Sequence, residues 1–232
     1  MLDWLFPPRC LGCGALGGPW CSACDQRTHW LRAPLCAHCG LPSAEQAASC
    51  EACRVNHYRF TSARSLAPYA AELRQALLAF KRQQNMALAQ IFAAKLQLLY
   101  QQQAWQADLV LPVPLDAQRE AQRGFNQAGL LAGPLAQGLG LPLPAGALRR
   151  KPGAKVQHRL TAAQRWQNLQ GTFVADKQAI LGTHVLLVDD IMTTGATAQA
   201  ISLALLEAGA AQVYVLTVGR SLFQDHQANL VR

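Results

Sequence analysis

The chain has 232 residues, of which 51% are hydrophobic and 15% charged, a balance that supports a buried core and excludes a disordered or fibrous chain. Its formal charge is +8, and no acid occurs between Glu120 and Asp176, where Arg123, Arg149, Arg150, Lys151, Lys155, Arg159 and Arg165 fall, so that segment suits an anion or a solvated basic face. The apolar stretch Leu130 to Leu148 is broken repeatedly by Gly and Pro, and "MLDWLFPPRC" has no basic segment ahead of a long apolar one; neither a membrane span nor a secretory signal is expected, and the expected location is cytoplasmic.

In chain order the first feature is cysteine. All eight Cys lie in four C-x-x-C pairs: Cys10 and Cys13, Cys21 and Cys24, Cys36 and Cys39, Cys50 and Cys53. Two such pairs complete a tetrahedral four-thiolate shell for Zn²⁺, so the four pairs predict two structural zinc ions in a module over residues 1–60. Sequence order groups the first four Cys on one ion and the last four on the other, with interleaved pairing also open. A closed shell leaves no coordination position for chemistry; its task is to stabilise a segment too small to make its own core. Eight thiolates and two zinc ions lower the formal +8 to about +4. A disulfide framework is disfavoured, because the N-terminus gives no reason to expect an oxidising compartment.

From Tyr69 to Phe80 the apolar residues recur at helical spacing, and a second helix is expected over Ala87 to Gln103. "ADLVLPVPL", Ala107 to Leu115, reads as a buried strand stopped by the Pro112-Val113-Pro114 turn, with a helix following over Asn126 to Gly138. Leu141 to Arg159 is rich in Pro, Gly and basic residues and reads as an exposed loop; Thr161 starts a short helix. "GTFVA", "HVLLVDD" and "AQVYVLTVG" are expected strands, with a helix from Ala196 to Glu207 joining the last two. Strands alternating with helices predict a parallel α/β sheet over residues 61–232, with ligands at the carboxyl ends of its strands.

The stretch "VLLVDDIMTTGATAQA", Val185 to Ala200, sits at that edge. Val185 to Val188 is continuously apolar, as a central strand buried on both faces requires. Asp189 and Asp190 follow, and then Thr193 to Thr197 offers hydroxyls and backbone N–H groups at a helix start, a cradle for phosphate. Phosphate would be repelled by two aspartates, so the ligand these residues suit carries both a monophosphate for the loop and neutral vicinal hydroxyls for the carboxylates. A ribose 5-phosphate has that combination.

Val185 to Thr197 resembles the phosphoribosyl-diphosphate (PRPP) motif of type I phosphoribosyltransferases. The chain as a whole resembles the ComF/GntX family of bacterial competence and DNA-utilisation proteins, through the cysteine module, "FKRQQN" from Phe80, "LPVPLDAQREAQRGFNQAGLLA" from Leu111, "QHRLTAAQRWQNLQGTF" from Gln157 and the PRPP loop. The resemblance implies a type I phosphoribosyltransferase-like sheet flanked by helices behind an N-terminal double zinc ribbon. It implies that Asp189 and Asp190 hold the ribose hydroxyls, that Thr193, Thr194, Gly195, Ala196 and Thr197 take the 5′-phosphate, and that Pro112, Val113 and Pro114 border the diphosphate, with Mg²⁺ accompanying PRPP. Lys155 and Arg159 would close over the diphosphate from a flap; Arg123 is a further anion-binding candidate, or a structural ion pair. Where purine-type members carry a carboxylate this chain has Thr193, so no catalytic residue and no acceptor is assigned, and transfer is left open. Two alternatives stand beside an active transferase: a binder of single-stranded DNA, with Arg149, Arg150 and Lys151 as candidate contacts, and a PRPP-sensing adaptor that docks a DNA-uptake helicase.

Overall fold

The computed structural model describes residues 7–43, 49–151, 169 and 171–222. Two short helices, α1 (Ser22–Arg27) and α2 (Glu51–Asn56), are each preceded by a cysteine, Cys21 and Cys50, in extended conformation. There follow β1 (Ser62–Pro68), α3 (Ala71–Phe80), α4 (Met86–Gln101), β2 (Leu109–Pro112), α5 (Ala117–Arg123) and α6 (Gln127–Leu139). The chain continues through β3 (Leu148–Arg150), β4 (Phe173–Ala175), α7 (Lys177–Ile180), β5 (His184–Met192), α8 (Ala196–Glu207) and β6 (Gln212–Arg220).

Four strands form one parallel sheet in the order β1-β6-β5-β2, so their carboxyl ends share an edge. The continuous apolar run of β5 is explained by its central place. Leu186 and Val188 face a core built from α3, α4 and α6, while Val185 and Leu187 face a second core with α8, and all four are fully buried. Burial of four such side chains removes on the order of 6–12 kcal/mol of apolar exposure, an upper figure for an extended unfolded chain. This is the parallel α/β arrangement that the alternation of strands and helices predicts, and α8 has the bounds expected of it.

Other bounds differ. The β5 strand runs on through both aspartates to Met192 because its ladder with β6 continues to Met192 and Arg220. The β1 strand, which no sequence signal indicated, contains Ser62, Arg64 and Ser65 rather than an apolar run. Its polar groups are satisfied locally: Ser65 Oγ lies 2.6 Å from Thr217 Oγ1 on β6, and Ser62 Oγ donates to the Ala37 carbonyl at 2.8 Å. Part of the expected Leu141 to Arg159 loop is strand, since β3 pairs antiparallel with β4 and buries Leu148. The helix expected from Thr161 lies outside the described residues.

The outer edge of β1 is covered by the cysteine module. Leu31 N donates to the Leu66 carbonyl at 2.8 Å, and Ala63 N to the His38 carbonyl at 2.7 Å. Groups that would otherwise template pairing with another chain are thereby taken up. The module's two halves then divide between the two cores: Cys10, Trp20 and Cys24 join the α3 and α4 side, where Trp20 meets Phe92 edge-on at 5.5 Å, and Cys36, Cys39 and Cys53 join the α8 side. No helix among the described residues is long and apolar enough to cross a membrane.

Candidate functional site

The eight cysteines gather in sequence order. Cys10, Cys13, Cys21 and Cys24 form one cluster and Cys36, Cys39, Cys50 and Cys53 the other, with the sulfurs of each cluster within 4.8 Å of one another. In the first, Cys10 and Cys24 are 3.6 Å apart, as are Cys13 and Cys21; in the second, Cys36 and Cys53 are 3.7 Å apart and Cys39 and Cys50 3.5 Å. A tetrahedron of Zn–S bonds of about 2.3 Å has sulfurs about 3.8 Å apart, whereas a disulfide needs about 2.05 Å, so these distances fit a metal and not a bridge. Knuckle N–H groups point at the sulfurs: Cys21 N reaches Cys10 Sγ and Cys50 N reaches Cys36 Sγ, both at 3.4 Å.

Within each cluster, thiols are shifted in opposite directions. Burial raises Cys10, but the N–H groups of Cys13, Cys21 and Gly12 outweigh it and bring it down to about 6. Cys39 is brought down to about 5, first by the hydrogen bond from Cys53, against the effect of burial. Their neighbours move the other way: Cys24 goes up through burial and Cys53 through its bond to Cys39, because a second thiolate beside the first is repelled. A divalent cation removes that conflict. Zinc held here would be structural, with all four positions filled by sulfur.

At the sheet edge, Asp189 lines a small cavity together with Val113, Thr193, Gly195, Ala196, Thr197 and Thr217. The loop between β5 and α8 is turned by Gly195 at φ +82°, and a Cβ there would meet the Tyr58 ring at 2.8 Å and the Met192 methyl at 2.9 Å. Only glycine fits that backbone without displacement. Burial pushes the Asp189 carboxyl well above the usual range, with the charge of Asp190 adding to it and Lys81 pulling against it.

The two aspartates diverge. Asp190 is buried on the other face, where its Oδ2 meets Lys81 Nζ at 2.9 Å beyond the end of α3. Lys81 belongs to the "FKRQQN" string, to which the residues themselves assigned no role; Phe80 beside it is fully buried and anchors the lysine. The pairing explains how a carboxylate tolerates that depth.

Val113 N donates to the Val188 carbonyl at 2.9 Å, which seats the Pro112 to Pro114 turn against β5 beside Asp189. Asn126 caps α6 by accepting from Ala128 N and donates its amide to the Val113 carbonyl, both at 3.0 Å. Arg123 is held by Gln127 at 3.0 Å, outside the residues that line the cavity. Arg149 and Lys151 are exposed, whereas Arg150 turns inward over the Phe173 ring and approaches Asp116 at 3.9 Å. Lys155 and Arg159 lie outside the described residues. Sequence reading missed Lys81, Tyr58, whose hydroxyl donates to the Thr194 carbonyl at 2.7 Å, and Arg220.

A zinc-binding module of two four-cysteine knuckles joined to a parallel α/β domain, with an acid-threonine loop at the sheet edge, is thus the class that fold and site define. The family model for the double zinc ribbon domain matches residues 1–54. Over 207 residues the chain is 33% identical to the DNA utilization protein YhgH of Salmonella typhimurium, covering 87% of this chain and 90% of that one. It is 29% identical to competence protein F of Haemophilus influenzae, over 87% of this chain and 90% of that one, and 29% identical to competence protein ComFC of Bacillus subtilis, over 87% and 84%. The chain belongs to this ComF/GntX family of DNA utilization and competence proteins. Among solved structures, it aligns with the glutamine PRPP amidotransferase of B. subtilis at 23% identity and TM-score 0.40, over 57% of this chain and 27% of that one.

Proposed function

We propose that the protein binds PRPP with Mg²⁺ at the carboxyl edge of β5 and acts in the cytoplasm in the handling of internalised single-stranded DNA. The observation that carries the first part is the convergence of Asp189 and the Thr193 to Thr197 loop on one cavity. The N-terminus of α8, a helix of 12 residues with no side-chain cap from Gly195, presents backbone N–H groups and a positive dipole end to a 5′-phosphate. Asp189 accepts a ribose hydroxyl, whereas Asp190, paired with Lys81 on the other face, stands outside the cavity lining and fixes the end of β5. The turn at Val113 borders the diphosphate, for which Lys155 and Arg159 are the candidate cations; Mg²⁺ offsets the diphosphate charge. Thr193 supplies no general base, so the reading is of binding, with transfer to an acceptor left outside it.

Calorimetry with PRPP and Mg²⁺ on the native chain, Asp189→Ala and Asp190→Ala tests this. The native chain is expected to bind with one site and Asp189→Ala to lose about tenfold or more, as removal of a charged hydrogen-bonding partner does, with a smaller loss for Asp190→Ala. No heat from the native chain overturns the ligand; equal affinity of the native chain and Asp189→Ala overturns the role of that acid.

The DNA part is supported by the names of the relatives and by the exposed Arg149 and Lys151. A labelled single-stranded oligonucleotide should bind with an affinity that falls as salt rises. Replacing both side chains by Ala should flatten the log–log salt slope by roughly 0.7 per lost phosphate contact. An unchanged slope removes these residues from the contact surface.

A further inference from the structure

Tyr58 is the point at which the metal module meets the candidate phosphate loop. It stands two residues beyond α2, the helix that carries Cys53 and is preceded by Cys50. Its ring stacks on Phe60, with centroids 4.8 Å apart and planes at 23°, and its hydroxyl donates to the Thr194 carbonyl at 2.7 Å. The ring and the Met192 methyl close on Gly195 from two directions. The next backbone N–H, that of Arg59, donates to the Gln199 side chain in the first turn of α8. The loop is therefore held from the side of the second knuckle at Thr194, Gly195 and Gln199.

Arg220 lies in the same junction. It ends β6 as the register partner of Met192, and it is fully buried; Nε, Nη1 and Nη2 have no hydrogen-bond partner among the described residues. A guanidinium at that depth requires an anion nearby. Its register partner Met192 packs in one cluster with Tyr58, Cys36, Cys39 and Cys53, which sets the end of β6 beside the second knuckle. Four thiolates around one Zn²⁺ carry two net negative charges, and in this half of the module Cys36, Cys39 and Cys53 are buried with them. The first knuckle differs: its buried members pack with Trp20 against α4, on the far face of the sheet from Tyr58.

We propose that the second cysteine centre is a positioning element for the phosphate loop, with Arg220 as its buried counter-charge and Tyr58 as the strut that fixes Thr194 and Gly195. The ligand in this inference is that of the phosphoribosyl reading above; the coupling of metal centre to loop stands on the contacts themselves.

The test uses the full zinc-loaded chain. Tyr58→Phe removes one hydroxyl and keeps the stacked ring. It should retain both zinc ions while amide exchange at residues 193–197 quickens about tenfold, the effect of one lost hydrogen bond on local opening, and PRPP affinity should fall by a similar factor. Arg220→Met should release one zinc per chain to a competing chelator at a concentration that leaves the native chain loaded, with the same amides exchanging faster, and Arg220→Lys should restore retention. Native exchange at 193–197 in Tyr58→Phe overturns the strut; native zinc retention in Arg220→Met overturns the counter-charge. A native chain that binds no PRPP, yet whose loop exchange responds to Tyr58→Phe, sinks the ligand reading and leaves the coupling in place.

Discussion

Removal of zinc by a strong chelator at neutral pH is expected to unfold the N-terminal module and to loosen both cores of the α/β domain. Structural zinc in comparable small modules contributes about 10–16 kcal/mol per ion, more than the roughly 5–15 kcal/mol that holds a whole domain folded. Here the clusters are parts of larger cores, so loss propagates: Cys10 and Cys24 pack with Trp20 and Phe92, and Cys36, Cys39 and Cys53 with Tyr58 and Phe60. The two ions should leave at different rates. In the first cluster Cys13 is exposed and Cys21 half-buried, whereas in the second only Cys50 is as open as half-buried. Metal analysis should therefore find two zinc ions per chain, released in a fast and a slow phase, and the midpoint of thermal unfolding should fall by about 10 °C or more after both are gone. A folded, fully reduced chain that contains no zinc and melts at the same temperature with and without chelator would refute the assignment.

What could be read from the residues, and what could not, follows from the range of the contacts involved. Cysteine spacing is local, and so is the switch from the apolar run Val185 to Val188 into acids, loop and helix; both were legible, down to the bounds of α8. The β1 strand was not, because Ser62, Arg64 and Ser65 are compatible with a strand only when β6 and the cysteine module supply hydroxyl and carbonyl partners from elsewhere in the chain. The same holds at the site. Adjacent acids read as a pair, yet the sheet sends Asp189 to the cavity and Asp190 toward Lys81, and no periodicity in the sequence announces a partner more than a hundred residues away. Tyr58 and Arg220 belong to this class: each is an ordinary residue of its segment until the fold brings knuckle, loop and strand end together.

Replacing Asp189 by asparagine is expected to stabilise the ligand-free protein at neutral pH and to weaken PRPP binding at the same time. Burial, joined by the charge of Asp190, raises the Asp189 pKa in the folded state above its unfolded value of about 3.9. Over the interval between the two values the folded chain holds a proton that the unfolded chain has released, so the contribution to stability is whole below the unfolded pKa and is lost as pH rises through the folded one. At neutral pH the ionised carboxylate is a cost, which the amide removes without changing the size of the side chain; a gain on the order of 1 kcal/mol is the usual return for relieving strain at a functional position. Denaturant unfolding from pH 4 to 8 should show this gain growing with pH. A bound diol opposes the same cost, because its hydroxyls donate to the charged form and draw the pKa down. PRPP binding should therefore release protons wherever Asp189 is partly protonated, visible as a dependence of the calorimetric heat on buffer ionisation enthalpy, and Asp189→Asn should abolish that dependence along with about 10–100-fold of affinity. A variant that is less stable than the native chain at neutral pH and binds PRPP equally well would show that Asp189 serves the fold and not the ligand.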